Sequence, residues 1–92
     1  MVGNAEGVER ELGAIWKEAL GASDIRTDSN FFEAGGDSLL MMTMLFRVAE
    51  TFAVDVHPGV LFEKPTLGAL AGHIESLKVS MAGREVAETG LL

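Results

Sequence analysis

Apolar side chains recur along this chain with a helical rhythm. Val8, Leu12, Ile15, Trp16 and Ala19 follow at steps of four, three, one and three, which places them on one stripe of a helix from Val8 to Leu20. Glu9, Arg10, Glu11, Lys17 and Glu18 take its other faces, and Gly21 supplies a C-terminal stop. A second helix is predicted from Ser38 to Phe52, a run without Gly or Pro. On its wheel Leu39, Met42, Leu45, Val48, Ala49 and Phe52 share a broad face toward a core. Leu40 and Met44 fall opposite, and Met41 sits at the border. Val54 to Val56 reads as an extended link, and Pro58 biases His57 to extended geometry. Pro58 then opens a brief helix, Gly59 to Phe62, as its first residue. After Pro65, Thr66 is the N-cap of a last helix, with Leu67, Leu70, Ala71, Ile74 and Leu77 as its stripe, up to about Lys78. No alternation is long enough to build a sheet. The expectation is an all-α fold: a small, mostly antiparallel four-helix bundle, three main helices and one short one, with a long first loop.

That loop, Ala22 to Asp37, is rich in turn formers: Ser23, Asp24, Thr27, Asp28, Ser29, Asn30, Gly35 and Gly36. Ile25, Phe31 and Phe32 interrupt it and are expected to pin it onto the helices. A connection this long in a small domain is anchored or functional. Burying a large apolar side chain contributes roughly 1.5–3 kcal/mol. Met42, Trp16, Phe31, Phe32, Phe52 and Phe62 are therefore expected as core or loop anchors. Residues 8–78 read as one domain, with flexible flanks at 1–7 and 79–92.

Composition narrows the classes of function. Of 92 residues 48% are apolar, enough for a core and too many for a disordered chain. Seven basic residues against fourteen acidic give a formal charge of -7. That disfavours nucleic acid and suits encounters with basic protein surfaces. There is no apolar run of membrane-spanning length and no secretory leader, so no membrane is expected and the location is cytoplasmic. Without cysteine there is neither disulfide nor thiolate metal site, and His57 and His73 lack metal-binding spacing. Any thiol chemistry would have to come from an attached group.

One position has a distinctive setting. Ser38 lies at the first turn of the second helix, directly after Gly35, Gly36 and Asp37. A helix N-terminus offers unpaired N–H groups and partial positive charge, which favours a phosphate on that hydroxyl. Glycines let a large partner approach the backbone. Asp37 or Ser38 acting as a simple helix cap accounts for the same residues.

The wider pattern, Phe31-Phe32-Glu33-Ala34-Gly35-Gly36-Asp37-Ser38-Leu39, closely resembles the phosphopantetheine attachment motif of carrier proteins. Phe52, fourteen residues after the serine, continues the resemblance, as do Leu61-Phe62-Glu63-Lys64-Pro65-Thr66-Leu67 and Leu70-Ala71. Together they resemble the thiolation domains, or peptidyl carrier proteins, of nonribosomal peptide synthesis, over roughly Val8 to Leu77. The resemblance implies a 4'-phosphopantetheine arm moved from coenzyme A onto Ser38 by a phosphopantetheinyl transferase. It implies thioester-bound aminoacyl, peptidyl or acyl intermediates on the arm. It also implies adenylation, condensation, tailoring or thioesterase partners and no catalysis by the chain itself. Asp37 matches the acidic residue before the serine, with transferase recognition or capping as its role. Two glycines before Asp37-Ser38 resemble peptidyl more than polyketide or fatty-acid carriers, which makes a polyketide acyl carrier the alternative. Ala34, Met41 and Ala53 depart from residues common in the family; Ala53 stands where glycine is frequent.

Leu40, Met41 and Met44 are expected to face solvent in part beside the serine, as a flexible docking patch for partners that Val60 extends by resemblance. A chain that opens on Met1 with one domain points to a free-standing, monomeric carrier acting in trans. Two other readings compete. Gly36-Asp37-Ser38-Leu39 also spells the motif of the GDSL esterases, which need an α/β scaffold and a His–Asp pair that this chain does not announce. An unmodified helical bundle that binds partners is the other.

Overall fold

The computed structural model describes residues 4–78, and the expectations for residues 1–3 and 79–92 lie outside them. Among the described residues there are four helices: α1 (Asn4–Leu20), α2 (Ser38–Phe52), α3 (Pro58–Glu63) and α4 (67–78). None is long and apolar enough to cross a membrane. α1 starts at Asn4, four residues before the apolar stripe, because a helical backbone can run ahead of its buried face. Its end follows the sequence signal. Gly21 adopts φ 65° and the Ala22 N–H donates to the Lys17 carbonyl at 3.1 Å, a Schellman closure.

The core draws on every element. Val8, Leu12, Ile15 and Trp16 come from α1, and Leu67, Leu70, Ala71 and Ile74 from α4. Between α2 and α3, Val54 and Val56 point inward while Ala53, Asp55 and His57 face water, the period-two pattern of extended chain. Leu61 is the buried residue of α3. The His57 imidazole caps that helix, its Nδ1 accepting from the Gly59 N–H at 2.9 Å, with Pro58 just inside. Arg47 of α2 reaches Glu18 of α1 at 2.6 Å.

The inward face of α2 differs from the expected one. Met41, Met44, Leu45, Val48 and Phe52 are buried. At about 100° per residue they fall within roughly 100° of arc, the width of an ordinary core-facing stripe. The broad face read from the wheel spans nearly twice that arc, and only Leu45, Val48 and Phe52 of it turn inward. Leu39 is 74% exposed and Met42 51%. Phe62 is also mostly exposed, yet its ring stacks on Phe32 at 5.2 Å and 12°, so it anchors the loop from the outside.

The first loop is held at both ends of the core. Phe31 is fully buried, edge-on to Trp16 at 5.2 Å, and its N–H donates to the Pro65 carbonyl at 2.8 Å. Ile25 and Phe32 are partly buried against the same cluster. Asn30 forms an isolated antiparallel bridge with Thr66. The loop also begins α4: the Leu67 N–H donates to the Ser29 carbonyl at 3.0 Å and the Gly68 N–H to the Thr27 carbonyl at 2.8 Å. The Thr66 hydroxyl accepts from the Ala69 N–H at 3.3 Å, as its N-cap position predicts.

Candidate functional site

The segment that presents Ser38 is built in steps. The Asn30 side-chain oxygen accepts from the N–H groups of Phe32 (2.9 Å) and Glu33 (3.1 Å), starting a turn. Backbone bonds from Ala34 to Asn30, Gly35 to Phe32 and Gly36 to Phe31 tighten it. Gly35 sits at φ 110°, a region that favours glycine, and a Cβ there would meet nothing within 4 Å. At Gly36 the need is space: a Cβ would overlap the Phe31 ring and come within 2.7 Å of the Phe31 carbonyl oxygen. The chain can pass over buried Phe31 only without a side chain.

Asp37 then caps α2. Its backbone is extended and its carboxylate accepts from the Leu40 N–H at 2.9 Å, while its carbonyl takes the Met41 N–H at 2.8 Å. Ser38 is the first helical residue and is exposed. The N–H groups of Ser38 and Leu39 find no acceptor among the described residues. An exposed hydroxyl therefore lies beside two open donors at the positive end of a fifteen-residue helix. That arrangement suits an anionic ester on the serine oxygen and leaves room above Gly35 for what is attached. The Asp37 carboxylate, close by, opposes a second negative charge and is held in place by its cap bond.

The surroundings correct the expected docking patch. Met44 is fully buried and Met41 is 6% exposed, so neither offers itself to a partner; both belong to the narrow inward stripe of α2. Leu40 and Val60 are half-buried against the core. The large exposed apolar side chains of α2 are instead Leu39, Met42 and Phe46 (64%), at i, i+3 and i+7 on the outer face that begins next to Ser38. Phe46 escaped the sequence reading; the signal available was that a second apolar stripe opposed the first. The two histidines are not joined into a site, and among the described residues no group of His, Asp or Glu is arranged to hold a metal.

A family model described as "Phosphopantetheine attachment site" matches residues 10–74. Gramicidin S synthase 2 of Brevibacillus brevis is 46% identical over 67 residues, 73% of this chain and 2% of the synthase. Phosphinothricin tripeptide synthetase PhsB of Streptomyces viridochromogenes is 49% identical over 59 residues, 64% of this chain and 5% of that protein. The chain thus spans only a few per cent of the length of these curated relatives. Among solved structures, that of the phosphopantetheine transferase Sfp with coenzyme A and a peptidyl carrier protein matches with a TM-score of 0.73 and 38% identity, covering 75% of this chain and 90% of that one. BlmI, a type-II acyl-carrier-protein from Streptomyces verticillus, matches with a TM-score of 0.74 and 28% identity, covering 78% and 87%.

Proposed function

The chain belongs to the family of phosphopantetheine attachment-site domains, and from that premise we propose that it is a carrier protein with its arm on Ser38 and aminoacyl or peptidyl groups as cargo. The observation that carries the reading is the exposed Ser38 hydroxyl at the N-terminus of α2, beside two open backbone donors and directly after a loop locked to the core. 4'-Phosphopantetheine, when bound, supplies a terminal thiol that can hold an acyl group as a thioester, the one thiol available to a chain without cysteine.

The chain's own residues attach and position. Ser38 supplies the oxygen for the phosphodiester. Asp37 holds the first turn of α2 closed, and Phe31 with Gly36 keeps the attachment point from drifting. Nothing in this reading asks the chain for catalysis; His57 is engaged as the cap of α3. The work is presentation, and residues 8–78 are the unit that does it.

The partners follow from the same reading: a phosphopantetheinyl transferase, an adenylation enzyme that loads cargo, and condensation, tailoring or thioesterase enzymes that use it, all in the cytoplasm. The stripe Leu39, Met42 and Phe46 is their landing surface, with the part-exposed Leu40 and Val60 contributing at its margin. Three side chains are too few for a permanent interface, which suits a surface that meets several enzymes in turn.

Intact-mass spectrometry after incubation with coenzyme A and a broad-specificity transferase tests the proposal. One phosphopantetheine per chain is expected, lost in Ser38→Ala. An unchanged mass with the wild-type chain, or modification that survives Ser38→Ala, overturns it.

A further inference from the structure

A groove of about 820 Å³ that takes no residue from α2 or from the Asn30–Asp37 turn opens between α1, the Ile25–Thr27 stretch of the first loop and the start of α4. Its apolar floor is Gly13, Ala14, Ile25 and Leu67, and Arg10, Lys17 and Arg26 stand around it. Three of the chain's seven basic residues thus meet at one groove of a molecule whose formal charge is -7. One carboxylate, Glu9, lines it too, and it accepts a hydrogen bond from the Thr27 hydroxyl. Arg26 pairs through Nε with Asp24 at 3.4 Å, but both side chains are exposed and such a pair is weak in water.

Gly13 adds an independent observation. It lies in the middle of α1, where glycine is the poorest helix former after proline. Its backbone is not left-handed, and an added Cβ would make only ordinary contact, 3.6 Å from Leu67 Cδ2. Neither conformation nor packing requires glycine there. Gly13 is itself buried and Leu67 is only 3% exposed, so the floor is closely packed, and a methyl group at Gly13 would add to it against Leu67 and alter the groove's shape.

We propose that this groove docks an acidic peptide segment of a partner protein, which lays an apolar side chain over Gly13 and pairs carboxylates with Arg10, Lys17 and Arg26. A small inorganic anion would have no use for the apolar floor, and nucleic acid is repelled by the charge of the whole molecule. A peptide with both apolar and acidic groups uses both parts of the groove. The site is separate from Ser38, so docking here leaves the attachment serine and the outer face of α2 free.

The test titrates the isotopically labelled full chain with a short synthetic peptide of alternating glutamate and leucine, and with a matched peptide carrying lysine for glutamate. Amide shifts are expected at Gly13, Ala14, Lys17, Arg26 and Thr27 with the acidic peptide alone, saturating and weakening as salt rises. Lys17→Glu with Arg26→Glu should weaken binding at least tenfold. Gly13→Ala should also weaken it while raising the melting temperature by about 4 °C, a combination that a purely structural role for Gly13 does not produce. Equal binding of the lysine peptide, shifts centred on Leu39, Met42 and Phe46, or a Gly13→Ala variant that binds like wild type overturns the proposal. So does a reversible dimer abolished by Lys17→Glu, which would make a second copy the occupant. Conversion of the same variants by coenzyme A and transferase should be unchanged, so failure here is separable from failure of the Ser38 reading.

Discussion

Ala53 ends α2 with φ 57° and ψ 38°, the only non-glycine residue at positive φ among those described. For an L-residue this region costs roughly 1–2 kcal/mol, because Cβ crowds the following carbonyl oxygen. Glycine escapes that crowding but gives back about 0.4–1 kcal/mol through the greater freedom of the unfolded chain. Ala53→Gly should therefore stabilise the domain by about 0.5–1 kcal/mol. The side chain is exposed, so no burial is lost, and the bond from the Ala53 N–H to the Ala49 carbonyl (3.0 Å) survives. For a domain of this size 1 kcal/mol moves the melting temperature by about 4–8 °C, so a rise of roughly 2–8 °C is expected. Urea unfolding should show a higher midpoint at an unchanged slope, as befits a local change in the native backbone. Ala53→Val is the counterpart, since a β-branched side chain fits this conformation worse, and should lose about 1 kcal/mol or more. Ser38 lies at the far end of α2, so the rate of phosphopantetheine addition should not move in either variant. A lower midpoint for Ala53→Gly, or a Val variant as stable as wild type, would refute the argument from left-handed strain.

Two further pairs of substitutions separate roles that share a residue or a helix. Asp37→Ala removes the N-cap of α2 and should lower stability by about 0.5–2 kcal/mol, while Asp37→Asn keeps an acceptor and should stay within a few tenths. If the carboxylate also guides the transferase, Asp37→Asn slows modification in a continuous assay without loss of stability; equal rates leave capping as its whole task. Met44→Ala should cost about 2–5 kcal/mol in urea unfolding because it opens a cavity in the core, whereas Met42→Ala, on the exposed face, should change stability by under about 0.5 kcal/mol and slow loading by the adenylation partner instead.

The contrast between those two methionines also marks where the sequence was legible. In α1 and α4 the polar residues are dense enough to leave one possible apolar stripe, and Val8, Leu12, Ile15, Trp16, Leu67, Leu70 and Ile74 are all buried as the spacing predicts. The run from Ser38 to Phe52 has apolar residues on nearly every side. Two stripes compete there, and the choice falls to the surfaces that α2 meets, which local spacing does not contain. Phe62 escaped for a related reason: six residues of α3 can bury little beyond Leu61, and the ring finds Phe32 on the outside. The setting of Ser38 was readable because a cap, a turn glycine and a close-approach glycine are local devices, each with its own residue type. The groove over Gly13 was not, because Arg10, Lys17 and Arg26 are brought together only once the loop folds back on α1.

The bonds from Leu67 and Gly68 to the Ser29 and Thr27 carbonyls have a bearing on recombination. They seat the opening turn of α4 on chain from the first half of the domain, and Gly68 is fitted to Thr27 so closely that a Cβ would come within 2.6 Å of its methyl carbon. The loop and the last helix are therefore inherited as a pair. A chimera that joins the front of one carrier to the back of another with a crossover between the loop and α4 breaks a matched seam even when every helix is conserved in length. Crossovers placed outside residues 27–68 keep both halves of that seam from the same parent.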